Sequence, residues 1–526
     1  MEFTTQRGKY HALVICFFAA LYLIVLSPAM VTASSRYGGT LRVGLMKDIR
    51  PLDPHTQKGY LCIYAFNQMY DYLVRQNMDG SLEPRLATSW EQRDDGKTWI
   101  FHLRQGVKFH DGTDFNAEAL KWNFERILDP KTKSYLRHQY SKIESMEVLD
   151  PYTLKINLKK TSYFVADVTG GIFTLRLVSP ACVEKYGEDF VKHPAGTGPF
   201  MFSSLSKDGN LTLVRNPHFW EKDLPYLDKV VLVSFRDVNA RNNALRAGEI
   251  DMESGTSMEL IRVTEANPDL YYVTGPTCYS INFGVNMTKK PWDDVRIRRA
   301  ILGYAVDRKR MAEVATFGLA DPKVTVGALP HSYTERLLDL YPYDLEKAKD
   351  LLQEANMIGK EITFVINNTD NVYKNIASIL KGSLESIGVK MRINVLDYQT
   401  WIKTYYLAHT VAFSHPLTYE CDPAYWYQYL GPKARMNMSR AGAVVTKDGK
   451  EEIIDPVTNI LLEDCYSTAD PEKRKGAYQK LFRHLAEDAI MIGVITKPFV
   501  VFMKKEVKNY TWRDLNQTYD TVYWEK

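Results

Sequence analysis

Cysteine is scarce in this 526-residue chain: six in all, none spaced as Cys-x-x-Cys, which argues against a structural zinc site. There is no GxSxG elbow, HExxH pair, GxxxxGK loop or GxGxxG fingerprint. Gly196-Thr197-Gly198 comes nearest to the last, but the third glycine is missing and Pro199 follows. His102 and His110 flank an expected hairpin without the spacing of a metal set, and read as solvated surface histidines. Asp94-Asp95 and Asp293-Asp294 are adjacent pairs, which point apart in a strand and face water in a turn. No catalytic residue, metal or cofactor is therefore expected. Clustered Lys/Arg is absent too, and the formal charge is only +4, so a nucleic-acid partner is not expected.

Long apolar runs are confined to the N-terminus. Arg7 and Lys9 precede the run Ala12 to Leu26, and Ser27, Pro28 and small residues to Ser35 follow. Basic, apolar and small-residue regions in that order read as a secretory signal peptide. Val31 and Ala33 suit cleavage before Ser34, and a cut after Ala29 is the second option. The run of about 15 residues is short of the ~20 that span a bilayer. Ile15 stands before Cys16 where a lipoprotein needs a small residue, so lipidation is not expected. Removal of residues 1–33 leaves five cysteines, Cys62, Cys182, Cys278, Cys421 and Cys465, and hence at least one free thiol.

What is present is ordinary for a globular protein, with 45% hydrophobic and 25% charged residues, apart from 33 tyrosines. Tyrosine offers flat apolar area with a hydrogen-bonding tip, useful in a cleft and in a core. Strands are expected at Thr40 to Met46, Trp99 to Leu103, Val107 to Phe109, Ser145 to Val148 and Thr153 to Leu158. A helix is expected from Asn116, which caps it, with Ala119, Leu120, Phe124 and Ile127 as its buried stripe. Pro194 to Phe200 is a breaker-rich loop and a domain crossing. Strands then follow at Leu211 to Arg215, Lys229 to Phe235, Ser280 to Val285, Ile362 to Ile366 and Lys390 to Leu396. Helices are expected at Tyr60 to Tyr72, Asn239 to Ala247, Val295 to Ala305, Arg308 to Phe317, Leu345 to Ala355 and Tyr373 to Ile387. Alternation of helix and strand in the second half points to an α/β fold.

A set of motifs in one order carries more. Asp79 to Glu91, Asp95-Gly96-Lys97-Thr98-Trp99 and Leu103 to Gly112 resemble the signature of the family 5 extracellular solute-binding proteins. That family holds the dipeptide, oligopeptide and nickel receptors of bacterial ABC importers. Pro194 to Phe200 resembles its GTGPF loop, Asn216-Pro217 to Trp220 its NP-x-aromatic-W turn, and Gly248-Glu249-Ile250-Asp251 its GEID motif. Asn286, Pro291 to Arg296, Arg299-Ala300-Ile301 and Ala305-Val306-Asp307-Arg308 resemble later family segments. Read as residues, these are turn formers, caps and packing positions that shape a scaffold.

The resemblance implies a two-lobed periplasmic binding protein of type II, with a hinge and an inserted domain. Lobe I is expected at 34–59, 187–275 and 495–526, the inserted domain at 60–186, and lobe II at 276–494. It implies a monomer in the periplasm that captures a peptide or peptide-like solute between the lobes and delivers it to a membrane permease and its ATPase. A non-peptide solute, an oligosaccharide or nickel complex, is the alternative. A secreted hydrolase is a different class, with the missing catalytic motifs against it. Tyr279, Asn282, Trp401, Tyr419, Asp422 and Trp426 are the expected cleft residues. Cys278 and Cys421 are implied as a disulfide, with two buried free thiols as the other reading. In peptide receptors of the family an aspartate before an Asp-Pro pair holds the ligand's ammonium. Here Asp422-Pro423 aligns with the pair and Tyr419 with the anchor, leaving Glu420 or Asp422 to replace it. An arginine that holds the carboxylate aligns with Asn367. Free dipeptides are therefore expected to bind poorly, and longer, blocked or non-peptide solutes better.

Overall fold

In this computed structural model the described residues are 36–525, without 47–50, 58–61, 78–80, 170–173, 256–257, 259, 276, 278, 327–336, 369, 408–412, 415–416, 420–425, 435, 448–449 and 514–516. The fold is the expected two-lobed α/β arrangement. Lobe I is built on a seven-stranded mixed sheet ordered Leu270–Thr274, Val500–Lys504, Met252–Gly255, Thr40–Met46, Lys229–Phe235, Leu211–Arg215 and Phe200–Leu205. Lobe II is built on a six-stranded sheet whose path runs Lys390–Leu396, Glu361–Asn367, Phe413–Ser414, Tyr279–Val285 and Leu417–Tyr419, with Met491–Thr496 paired to Tyr279–Val285. Inserted between the first two lobe I strands in sequence, Thr40–Met46 and Phe200–Leu205, lies a four-stranded antiparallel sheet, Ala87–Arg93, Thr98–Leu103, Thr153–Leu158 and Ile143–Asp150, with its own core around Trp99, Phe101, Phe124 and Ile156.

Local chemistry places the elements. The helix Ala117–Leu128 starts where Asn116 accepts from the Ala119 amide at 2.9 Å, and all four residues of its anticipated stripe are buried. Asp94 and Asp95 form the turn between Ala87–Arg93 and Thr98–Leu103, with left-handed φ values of 52° and 53°. Asp294 caps the helix Val295–Arg298. Both acidic pairs are thus turn and cap residues. Val107 to Phe109 is not a strand: Lys108 makes a single bridge to Asp114, and Thr98–Leu103 pairs with Ala87–Arg93 and Thr153–Leu158 instead. The helix expected at Tyr60 to Tyr72 spans Ile63–Met69, and its Tyr64, Phe66 and Met69 pack into the core of lobe I. The inserted unit's own core starts at Leu73. Likewise the strand Met491–Thr496 stays in the lobe II sheet as far as Thr496, past the expected limit at 494.

The motif residues act as joints between these units. Gly196 and Gly198 lie so close to the Met69 and Gln68 carbonyls that a Cβ at either would collide with backbone. Asn216 donates to the Gly198 carbonyl at 2.9 Å. Arg85 pairs with Asp71 at 3.2 Å and with Glu221, and lies 4.5 Å over the Trp220 ring; the indole N–H donates to Asp71 at 2.8 Å. Asp251 accepts from Arg42 and Lys504, which ties three neighbouring strands of lobe I. Arg308, fully enclosed, donates to the carbonyls of Leu302, Gly303, Lys323 and Gly493.

His110 corrects the reading of a solvated histidine. Its Nε2 donates to the Gly198 carbonyl at 2.9 Å and its Nδ1 accepts from the Gly196 amide at 3.3 Å, so the ring is neutral and locked to the glycine loop. Burial pushes its pKa down to about 4. His102 does remain surface-exposed, beside Glu91 at 2.9 Å. His55, wholly buried, is held the same way as His110 by the Arg126 guanidinium and the Arg176 carbonyl, and burial brings it to about 4 as well. A histidine with a depressed folded pKa binds fewer protons than in the unfolded chain below pH ~6.5, so its contribution is full above that value and lost towards pH 4. The loss is up to about 3 kcal/mol for His55 and less for the half-buried His110. His484, raised by its hydrogen bond to Asp455, acts in the opposite sense. The thermal unfolding midpoint should therefore fall steadily between pH 6.5 and 4.5. A midpoint that stays level across that range contradicts the neutral, locked histidines.

Candidate ligand-binding site at the lobe junction

The chain crosses between the lobes once after Thr274 and again between Thr496 and Val500, and the strands that flank the two crossings are paired. On the lobe I side Leu270–Thr274 pairs with Val500–Lys504, with Thr274 opposite Val500. On the lobe II side Tyr279–Val285 pairs with Met491–Thr496, with Ser280 opposite Thr496. The Lys497 amide donates to the Tyr279 carbonyl at 2.9 Å, and the Thr274 hydroxyl to the Phe499 carbonyl at 2.9 Å. The connection is thus a two-stranded antiparallel ribbon. Trp512 packs on both passages: its ring is 5.9 Å from that of Phe499, and it fills the space a Cβ on Gly275 would need.

Just inside lobe II the ribbon carries a buried polar cluster. The Lys497 ammonium faces Asp370 at 2.7 Å, with both side chains about 5% exposed. It donates to the Tyr373 hydroxyl at 3.3 Å and lies 4.9 Å from the ring centroids of both Tyr279 and Tyr373. The two tyrosine hydroxyls are 2.5 Å apart. Asp370 also caps the helix Asn371–Ser386 through the Val372 amide at 2.9 Å. A carboxylate, a hydroxyl and two ring faces together compensate a cation that burial alone would exclude. Burial, then the nearby Asp370 carboxylate, holds the Tyr373 hydroxyl well above the ordinary tyrosine range, so it stays protonated.

Of the residues expected in the cleft, Tyr279 is in this cluster. Asn282 lies three residues along the same strand, fully buried and hydrogen-bonded to Ser280 at 3.1 Å. The backbone of Tyr419 is directly opposite Tyr279 in the sheet. Trp401 and Trp426 are placed otherwise. Trp401 is 0% exposed, donates to the Ser414 hydroxyl at 3.0 Å and stacks on Tyr405. Trp426, equally enclosed, packs on Phe482 and Tyr429. Both pack in the core of lobe II. Asp422, Glu420, Cys278 and Cys421 lie outside the described residues. Asn367 is buried at the end of Glu361–Asn367, three residues before Asp370. Lys497, Asp370 and Tyr373 were not expected here; no motif marks them, and only the pairing of the two passages brings them together. Cys62, Cys182 and Cys465 are buried, and Cys182 and Cys465 are free thiols. Among the described residues no helix is long and apolar enough to cross a membrane, and no group of three His, Cys, Asp or Glu is placed to hold a metal.

Two lobes, a paired crossing and a buried polar cluster at its base define a hinged binding protein. The family description "Bacterial extracellular solute-binding proteins, family 5 Middle" matches residues 81–436. The chain is 31% identical over 357 residues to the glutathione-binding protein GsiB of Salmonella typhimurium, covering 68% of this chain and 69% of that one. The fold is similar to that of the ABC transporter substrate-binding protein CtaP of Listeria monocytogenes, with TM-score 0.83 at 22% identity, covering 93% and 99% of the two chains. It is similar also to the periplasmic binding protein DppA of Helicobacter pylori in complex with the peptide STSA, with TM-score 0.78 at 26% identity, covering 94% and 100%. The chain belongs to the family 5 bacterial extracellular solute-binding proteins.

Removing one partner of the buried pair should be costly. Asp370→Asn leaves the Lys497 charge without its carboxylate and is expected to destabilise the protein by about 3–5 kcal/mol. Replacing both, as Asp370→Leu with Lys497→Met, should recover most of that loss. Thermal unfolding of the three variants checks this, and a melting curve of Asp370→Asn identical to wild type would refute the pairing.

Proposed function

We propose that this protein is the extracytoplasmic substrate-binding component of an ABC importer and captures a peptide-like solute between its lobes. The observation that carries the reading is the ribbon crossing with the Lys497, Asp370, Tyr279 and Tyr373 cluster at its base, in a chain of this family. A ligand that touches both lobes binds the closed arrangement better than the open one, and only that difference can shift the equilibrium. The closed form then presents the solute to a membrane permease with its ATPase. Residues 1–33 act as a signal peptide removed near Ala33-Ser34, and the mature protein works in the periplasm as a monomer.

The solute is longer or more blocked than a free dipeptide. Tyr419 and Asn367 stand where peptide receptors of the family place an aspartate and an arginine. The first relative above is named for glutathione, a tripeptide with a γ-linkage, and the DppA complex holds a tetrapeptide. Isothermal titration with glutathione, STSA and a panel of free dipeptides tests the reading. Glutathione or the tetrapeptide should bind at least about ten-fold more tightly than any dipeptide, a gap of about 1.4 kcal/mol. Sub-micromolar binding of a free dipeptide would show that the anchors are present after all. Intact-mass analysis of the exported protein should give a chain beginning at or near Ser34. Retention of the first 30 or so residues would remove the signal-peptide reading.

A further inference from the structure

Among the described residues, Arg75 differs from the buried Arg298 and Arg308 in the state of its donors. Arg308 is wrapped in carbonyls, and Arg298 donates to the carbonyls of Trp292, Asp293 and Asp488. Arg75, on the strand Val74–Gln76, is 3% exposed. Its Nη1 reaches Glu83 at 3.2 Å, across the register from the neighbouring strand Leu82–Pro84. Its Nε and Nη2 are buried and have no hydrogen-bond partner among the described residues. The surroundings make this worse. Burial lowers the pKa of Arg75, and the charges of Arg85 and Arg513 lower it further. Arg85 is committed to Asp71 and Glu221. Arg513 donates to Thr518 at 3.1 Å.

The location is informative. Arg513 follows Trp512, which packs on both passages of the ribbon, so Arg513 and its neighbour Arg75 stand beside the hinge on the lobe I side. Lys497 stands beside it on the lobe II side. Nε–H and Nη2–H form one edge of the guanidinium, two parallel donors matched to the two oxygens of a carboxylate.

We propose that Arg75 is the anchor for a carboxylate of the solute, to which its Nε and Nη2 edge donates, with Arg513 adding positive charge. This rests on the reading of a solute-binding cleft and narrows its occupant to an anionic, carboxylate-bearing molecule. The test uses the mature full-length protein, with glutathione and its diethyl ester as probes in isothermal titration. Glutathione affinity should fall roughly 10- to 100-fold in Arg75→Gln, as for loss of a charge-assisted pair. Arg75→Lys should fall between, because an ammonium keeps the charge and loses the fork. The diester should bind wild type weakly and ignore the substitution. Equal affinities in wild type and Arg75→Gln, or a diester that binds as well as the acid, overturn the proposal. Should wild type bind neither glutathione nor peptides, the peptide reading fails by itself, and thermal unfolding in succinate decides the anchor. A midpoint raised by succinate in wild type and not in Arg75→Gln supports it, and equal shifts in both overturn it. Far-UV circular dichroism of Arg75→Gln establishes folding; if that variant does not fold, Arg75→Lys and the ester comparison on wild type carry the decision.

Discussion

Among the described residues the chain itself joins the two lobes through an antiparallel ribbon, the paired segments around Gly275 and Lys497. Because the two passages are hydrogen-bonded to each other and continue as paired strands into both sheets, they cannot bend independently. A small dihedral change shared by a few residues there becomes a rotation of one whole lobe against the other. The packing of Trp512 on both passages restricts this further, since the indole occupies the volume that any side chain at position 275 would need.

Rigidity of the lobes is the complementary requirement, and the family motifs serve it. The glycine loop at Gly196-Thr197-Gly198 lies against the carbonyls of Gln68 and Met69, His110 closes it from the inserted domain, and Asn216 ties it to the following turn. Arg85 and Arg104 both lie over the Trp220 ring, so the inserted unit is fastened to lobe I by charge and ring together. Such joints are specified by shape and hydrogen bonding at fixed positions. That is why they read as motifs along the chain while carrying no ligand chemistry.

The same contrast explains what could be read in advance. Caps and periodic stripes are local, so Asn116 and the helix behind it, or the strands Thr153–Leu158 and Lys390–Leu396, were visible in the residues themselves. His110 was misjudged because its environment comes from Gly196 and Gly198, more than eighty residues away. Trp401 and Trp426 are ambiguous from sequence for a physical reason: an indole serves a core as well as a cleft. Lys497 had no local signal at all: its carboxylate partner is 127 positions earlier, and its role follows from two strands meeting.

That leaves the question of why a binding protein would keep cations buried beside its hinge. Lys497 is fully matched by Asp370 and the two tyrosines, and so costs little in either arrangement of the lobes. Arg75 is matched only through Nη1, by Glu83, and its remaining buried donors, left without acceptors, raise the energy of the ligand-free protein. A solute carboxylate that supplies the missing acceptors removes that cost only when it is present. On this proposal the solute lowers the energy of the arrangement in which it meets Arg75, which is the differential affinity that a population shift requires. A hydrophobic residue at position 75 would remove that cost without any solute, whereas an arginine ties its relief to an anion.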